Sequence, residues 1–192
     1  MTQFYKFMSI TGVLFFMAFA TTATAHAQDD QALHAEIKAL YAEKAALLTG
    51  EKIDIERAIA EAKKNNHDDA VFVNRLKNLS NGKVTNSTMT KDDMISQMPH
   101  AYGLTRNNQA IIDVTDIRAG KEEGATAVSY QLTYRATLEQ TDVYGRVVAT
   151  DMSMASACVD QVKRSEAGVL QTTSSECDAA LAYTVPEIEA VE

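Results

Sequence analysis

One stretch constrains the fold of this chain more than any other: GATAVSYQLTYRATLEQ, from Gly124 to Gln140. Val128, Tyr130, Leu132, Tyr134, Ala136 and Leu138 fall on one side of an extended chain, and Ser129, Gln131, Thr133, Arg135 and Thr137 fall on the other. A period of two sustained over this length predicts a β-strand with one buried face and one face that is wet or forms an interface. Such a strand needs partners, and its flanks supply them. AIIDVTDIRAG precedes it; VVATDMSMASACVDQVK and VLQTTSSECDAALAYT follow it, with Gly145 at one bend and SEAG at the next. The second half of the chain therefore reads as a run of antiparallel strands.

The first half reads as helices. In QALHAEIKALYAEKAALL the residues Leu33, Ile37, Leu40, Tyr41 and Leu48 recur at helical spacing and form one stripe. TGEKID breaks the pattern, with Gly50 expected in the C-cap role and Asp54 as N-cap of a second helix, IERAIAEAKK. That helix is expected to end near Asn65 and Asn66, with a strand beginning at about Ala70. Asn81-Gly82 is a hairpin signal. Thr90 with Asp93 three residues on reads as a capping box that opens a short helix, KDDMISQM, stopping before Pro99. Helices first and strands after predict an α+β fold, N-terminal helices packed on a curved antiparallel sheet, in one domain.

Composition bears mainly on destination and partners. Residues 1–27 read as a signal peptide: Lys6, then the short apolar run VLFFMAFA, then Ala25-His26-Ala27 before Gln28. The run is short for a permanent span, which needs about 20 residues, so no stable membrane anchor is expected after cleavage. This predicts an exported protein, periplasmic or secreted, with a folded part over 28–183 and an acidic C-terminal tail over 184–192. The formal charge of the whole chain is −8. With no basic run, that balance argues against a nucleic-acid partner.

Three stretches carry a resemblance. LYAEKAALLTGEKIDIERAI, HDDAVFV and MTKDDMISQM, in this order, resemble the NTF2-like superfamily, which includes the ketosteroid isomerases and SnoaL-like polyketide cyclases. The likeness spans about Asp29 to Tyr183 and implies a cone-shaped α+β domain with a pocket between helices and sheet. It also implies a homodimer, since members often pair through their sheets. In the steroid isomerases an aspartate of the first strand abstracts a proton and a helix tyrosine helps hold the enolate. The position matching that aspartate is Asn74, an amide with no useful basicity, and no acid stands between Ala70 and Met89. Tyr41 matches the tyrosine or is core with its hydroxyl satisfied.

Two functional classes follow. One is a non-catalytic exported domain that binds a small hydrophobic ligand or a protein partner. The other is a SnoaL-like isomerase, cyclase or dehydratase acting on a small hydrophobic molecule, with His67, Asp68 and Tyr41 as catalytic candidates. His67-Asp68 reads equally as a helix-to-strand connector whose acid caps backbone amides. Tyr41, Asn74, Tyr130, Tyr134, Met152 and Met154 are candidates for lining a pocket, or for plain core. The chain has no CxxC, HxH or HExxH spacing, no calcium-loop pattern, no GxSxG elbow and no glycine-rich phosphate loop. Neither a metal nor a cofactor is expected.

Cys158 and Cys177 are the chain's two cysteines. If Ala167-Gly168 is a two-residue turn, counting outward sets them directly opposite, within reach of a disulfide. A three-residue turn with Gly168 left-handed would set Cys158 opposite Glu176 instead. The expectation is a structural disulfide stapling the last two strands, in keeping with export.

Overall fold

A computed structural model describes residues 30–141 and 145–184. The expected signal peptide and residues 185–192 of the expected tail lie outside them. Among the described residues two units divide between Ala39 and Leu40. In the first, residues 30–39 are helical; the helix, α1, runs over 30–47. The other helices and the sheet belong to the second unit.

These helices are α2 (Ile55–Asn65) and α3 (Lys91–Tyr102). Asp54 caps α2 by accepting from the Arg57 amide at 3.0 Å, and Lys63 and Lys64 complement the dipole in its last turn. At α3 the capping box is complete: Thr90 Oγ1 accepts from the Asp93 amide, and the Asp93 carboxylate accepts from the Thr90 amide. The helix does not stop before Pro99, as expected from sequence, but runs through it to Tyr102. Proline removes one amide donor and crowds the preceding turn. Here it sits in the second half of the helix, where the Gly103 amide closes the end on Pro99 O at 2.9 Å. Nor is Gly50 a C-cap. With φ +146° it forms an isolated bridge to Asn108, an extended contact that ties the α1–α2 link to the sheet edge.

The sheet has six strands: β1 (Asn66–Asn78), β2 (Val84–Thr90), β3 (Thr105–Ala119), β4 (Ala125–Thr141), β5 (Val147–Arg164) and β6 (Leu170–Thr184). Their spatial order is β2-β1-β6-β5-β4-β3. Four of the five pairings are antiparallel, and β1 runs parallel to β6. The fold is thus α+β, helices on a mixed sheet. β2 is a strand that the turn-rich NGKVTNSTMT conceals, paired with β1 across the Asn81-Gly82 hairpin, and β1 starts at Asn66 rather than Ala70. β4 alternates as expected over its second half, where Tyr134 and Ala136 are buried between more exposed neighbours; at its start Ala125 and Ala127 are buried on one face and Val128 on the other.

The last hairpin combines both turn readings. The Gly168 amide bonds Ser165 O at 2.9 Å, the Ser165 amide bonds Val169 O at 2.8 Å, and Gly168 has φ +81°. This is the three-residue turn, which taken alone sets Cys158 against Glu176. One residue, Thr173, bulges out between the pairs Gln161–Ser174 and Val162–Thr172. The bulge absorbs the offset. Cys158 therefore faces Cys177, and the two form a disulfide.

Candidate functional site

Along β5 the alternation that buries Cys158 also buries the second residue after it, and that residue is Asp160. Its side chain is 2% exposed. A carboxylate removed from water to this degree needs charged or hydrogen-bonding partners. Two elements, α1 and β4, supply them. Tyr41 and Lys44 are one helical turn apart on α1 and so share a face. Tyr41 Oη donates to Asp160 Oδ2 at 2.6 Å, and Lys44 Nζ lies 3.5 Å from the same oxygen and 3.3 Å from Thr172 Oγ1 of β6. Tyr130 of β4 donates to Asp160 Oδ1 at 3.3 Å. The two tyrosine rings pack at 4.8 Å between centroids, and the Lys44 ammonium sits 4.4 Å above the Tyr41 ring.

The electrostatics follow from the burial. Desolvation, then the negative charge of Asp160, holds the Tyr41 hydroxyl far above the ordinary phenol range. The same two causes raise Tyr130, with a hydrogen bond from Ser175 opposing them. Both hydroxyls remain protonated and act as donors at neutral pH. No buried side-chain nitrogen or oxygen among the described residues lacks a partner.

This cluster borders a cavity of about 210 Å³ under α2 and α3. Leu47, Leu48, Met94, Met98, Ile112 and Leu132 give it apolar walls, while Lys44, Tyr130, Glu61, Asn65 and Asn66 supply the polar groups. Glu61 Oε2 accepts from Lys64 Nζ and from Asn65 Nδ2, each at 3.2 Å. A larger groove of about 470 Å³ lies on the other face of the sheet, lined by Arg75, Gln131, Ala157 and Asp178 among others. Its charged side chains sit in solvent, as the exposed Arg75–Asp178 pair at 3.7 Å shows.

The residues singled out from sequence separate in space. Tyr130 lines the cavity, and Tyr41 lies behind it against Asp160. His67 is half exposed, its Nδ1 accepting from the Asp69 amide at 3.2 Å. The Asp68 side chain is 94% exposed and pairs with Lys91 Nζ at 2.8 Å, which holds its carboxyl below the usual range. Neither joins Tyr41. Asn74 stands half-buried on β1 opposite Cys177. Tyr134 is buried and donates to Asn108 Oδ1, with its ring edge-on to Tyr102 at 6.4 Å. Met152 and Met154 are half-buried on β5 beside Ala136 and Tyr134, outside the cavity wall. The residues that sequence reasoning passed over are Asp160, Lys44 and Glu61. For the first a signal existed: an acid in phase with the buried Cys158 of an alternating strand.

The chain matches no family model and no curated protein. Solved structures do resemble it. A conserved protein from Planctomyces limnophilus is 15% identical, with 81% of this chain and 98% of that one covered and a TM-score of 0.50. Naphthalene 1,2-dioxygenase with indole bound in the active site is 14% identical, over 77% of this chain and 79% of that one, with a TM-score of 0.52. Aln2 from a Streptomyces species is 18% identical, over 76% and 88%, at 0.48. At such identities the likeness is one of fold alone.

Proposed function

We propose that this chain is an exported enzyme of the SnoaL-like kind, an isomerase, cyclase or dehydratase that moves a proton on a small, mainly apolar molecule. The observation that carries this reading is the contact between a buried carboxylate cluster and an apolar cavity. Tyr130 and Lys44 belong to both. In an apolar site, fixed donors stabilise developing negative charge on an oxygen far better than water does. Lys44 is the donor, since its ammonium keeps a hydrogen beyond those directed at Asp160 and Thr172, while Tyr130 gives its single hydrogen to Asp160 and fixes the carboxylate beside it. Glu61, a carboxylate on the cavity wall, takes the proton from carbon. The catalytic candidates therefore become Tyr130, Lys44, Asp160 and Glu61, in place of His67 and Asp68. The binding-only reading draws on one fact, that both oxygens of Asp160 are already engaged.

An enolisable ketone of modest size separates the two. With 2-tetralone in D2O, hydrogen exchange next to the carbonyl should exceed the buffer rate and fall about a hundredfold in Lys44→Met. Binding of the ketone with exchange at the buffer rate would leave a binding protein. The reading also takes the protein as cleaved before Gln28, folded over 28–183, tailed by 184–192, and homodimeric. N-terminal sequencing of the mature protein and sedimentation test these points, and a monomer at tens of micromolar, roughly, would remove the dimer.

A further inference from the structure

The chain carries a single Asn-Gly step, Asn81-Gly82, and the fold sets it at the exposed tip of the β1–β2 hairpin. The chain just before this step is pinned. The Asn78 amide donates to Lys83 O at 2.8 Å, the Leu79 amide to Leu181 O at 2.7 Å, and the Ser80 amide to Asn78 Oδ1 at 2.9 Å. The Gly82 amide makes no hydrogen bond among the described residues.

Asn81 folds forward over this step. Its Oδ1 accepts from the Lys83 amide at 2.9 Å, two residues on, which is an Asx turn. The ring that this bond closes contains both Asn81 Cγ and the Gly82 nitrogen, so the two are kept close. The bond also draws electrons toward Oδ1 and leaves Cγ the more electrophilic. Gly82 has φ +71°, and nothing within 4 Å would meet a Cβ there. With no side chain of its own, the glycine leaves the approach to its nitrogen open.

The other asparagines lack one or more of these features. Asn65, Asn66 and Asn108 are buried, and Asn74 and Asn86 lie within the paired strands β1 and β2. The amides that follow Asn78 and Asn107 are committed, to Leu181 O and to Gly50 O. Each of the seven is followed by a residue that carries a side chain.

We propose that Asn81 is a site of spontaneous deamidation in the folded protein. The Gly82 nitrogen gives its proton to solvent base and attacks Asn81 Cγ. A C–N bond forms, the bond from Cγ to the side-chain nitrogen breaks, and that nitrogen leaves as ammonia. The succinimide so formed is opened by water at either carbonyl, giving aspartate or isoaspartate. Water is consumed, ammonia is released and one carboxylate is gained beside Lys83. Aspartate can keep the Asx hydrogen bond, whereas isoaspartate carries the main chain through the former side chain and lengthens the turn.

Peptide mapping of the native protein after days in mildly alkaline buffer tests this. Trypsin cuts after Lys77 and Lys83 and releases residues 78–83 as one peptide. Its aspartate and isoaspartate forms separate by chromatography, and only the second accepts a methyl group from a protein isoaspartate methyltransferase. Conversion should fall on Asn81 and not on Asn78, slow in mildly acid buffer, and vanish in Asn81→Ser. Its native rate should stay within about tenfold of the rate in the urea-unfolded chain, because an exposed turn opens at little cost. A native rate further below the unfolded one, or conversion centred on Asn78, overturns the inference, since the hairpin then shields the Gly82 nitrogen.

Discussion

Tyr41 and Asp160 are joined by a 2.6 Å hydrogen bond across 119 residues of sequence, the first on a helix and the second on a central strand, both within 2% of complete burial. The pair is chemically asymmetric. Tyr41 without Asp160 is a phenol with an idle hydroxyl, whereas Asp160 without its donors is a charge stranded in the interior. The link is therefore strong in the sense that removing one side is costly, whatever its net worth against an apolar pair.

The first prediction follows from that asymmetry. Tyr41→Phe should cost about 1.5–3 kcal/mol, the range for a hydrogen bond to a charged partner. Asp160→Asn should cost about 2–3 kcal/mol, toward the low end for a broken buried pair, because Lys44 keeps part of its hydration. The double variant should cost clearly less than the sum. Urea unfolding of the four proteins reads all three numbers, and strict additivity would mean that the two side chains do not act as a unit.

At the alkaline end the buried tyrosines should resist ionisation. Burial pushes Tyr102 up to about 12, and it pushes Tyr41 and Tyr130 higher still. A folded-state value above the unfolded one means that these groups stabilise the fold fully below the ordinary phenol value. That contribution is lost as pH rises from there through the folded value. Absorbance near 295 nm reads their ionisation. The buried ones should ionise only together with the loss of near-ultraviolet circular dichroism. A single smooth titration finished before any structural change would contradict the burial of the Asp160 cluster.

How much of this was legible in the sequence depended on whether a signal was local. The alternation from Val128 to Leu138 and the pair Thr90–Asp93 each specify their structure within a few residues, and both were readable. Pro99 misled because a proline reports a lost hydrogen bond, while tertiary packing decides whether the helix continues. The Cys158–Cys177 contact was right for an incomplete reason: the turn takes the other form and the bulge at Thr173 corrects it. The site was the least legible part. Tyr41 and Lys44 come from a helix far along the chain from Tyr130 and Asp160, which sit on two neighbouring strands. The one clue in sequence, an acid in phase with Cys158, gains meaning only once that face is known to be inward.

At the acid end two exposed carboxylates carry the sign. Lys91 lowers Asp68, and hydrogen bonds from the Thr90 side chain and backbone lower Asp93, both from an ordinary 3.8. A depressed folded value means stability that is present above the ordinary value and lost as pH falls through the folded one. Asp68→Asn and Asp93→Asn should each flatten the decline in thermal midpoint below about pH 4. Their effect near pH 2 should be smaller than near pH 6. An unchanged slope in the double variant would show that other acids set the acid limit.

The last hairpin yields the sharpest separation of two contributions. The disulfide closes a loop with a sequence separation of 19. In the chain-entropy account this stabilises by about 3 kcal/mol, acting on the unfolded chain. Gly168 acts on the folded state instead: at φ +81° an L side chain is strained, although nothing within 4 Å would meet its Cβ. Gly168→Ala should thus cost about 1–2 kcal/mol through backbone conformation alone. The alanine should cost the same in the Cys158→Ser, Cys177→Ser background as in the native one, because the bulge at Thr173 lies between turn and bridge and separates them. Guanidinium unfolding of the four proteins checks this. If the glycine costs far more once the bridge is gone, turn and disulfide hold the register jointly, and the bulge is not what insulates them.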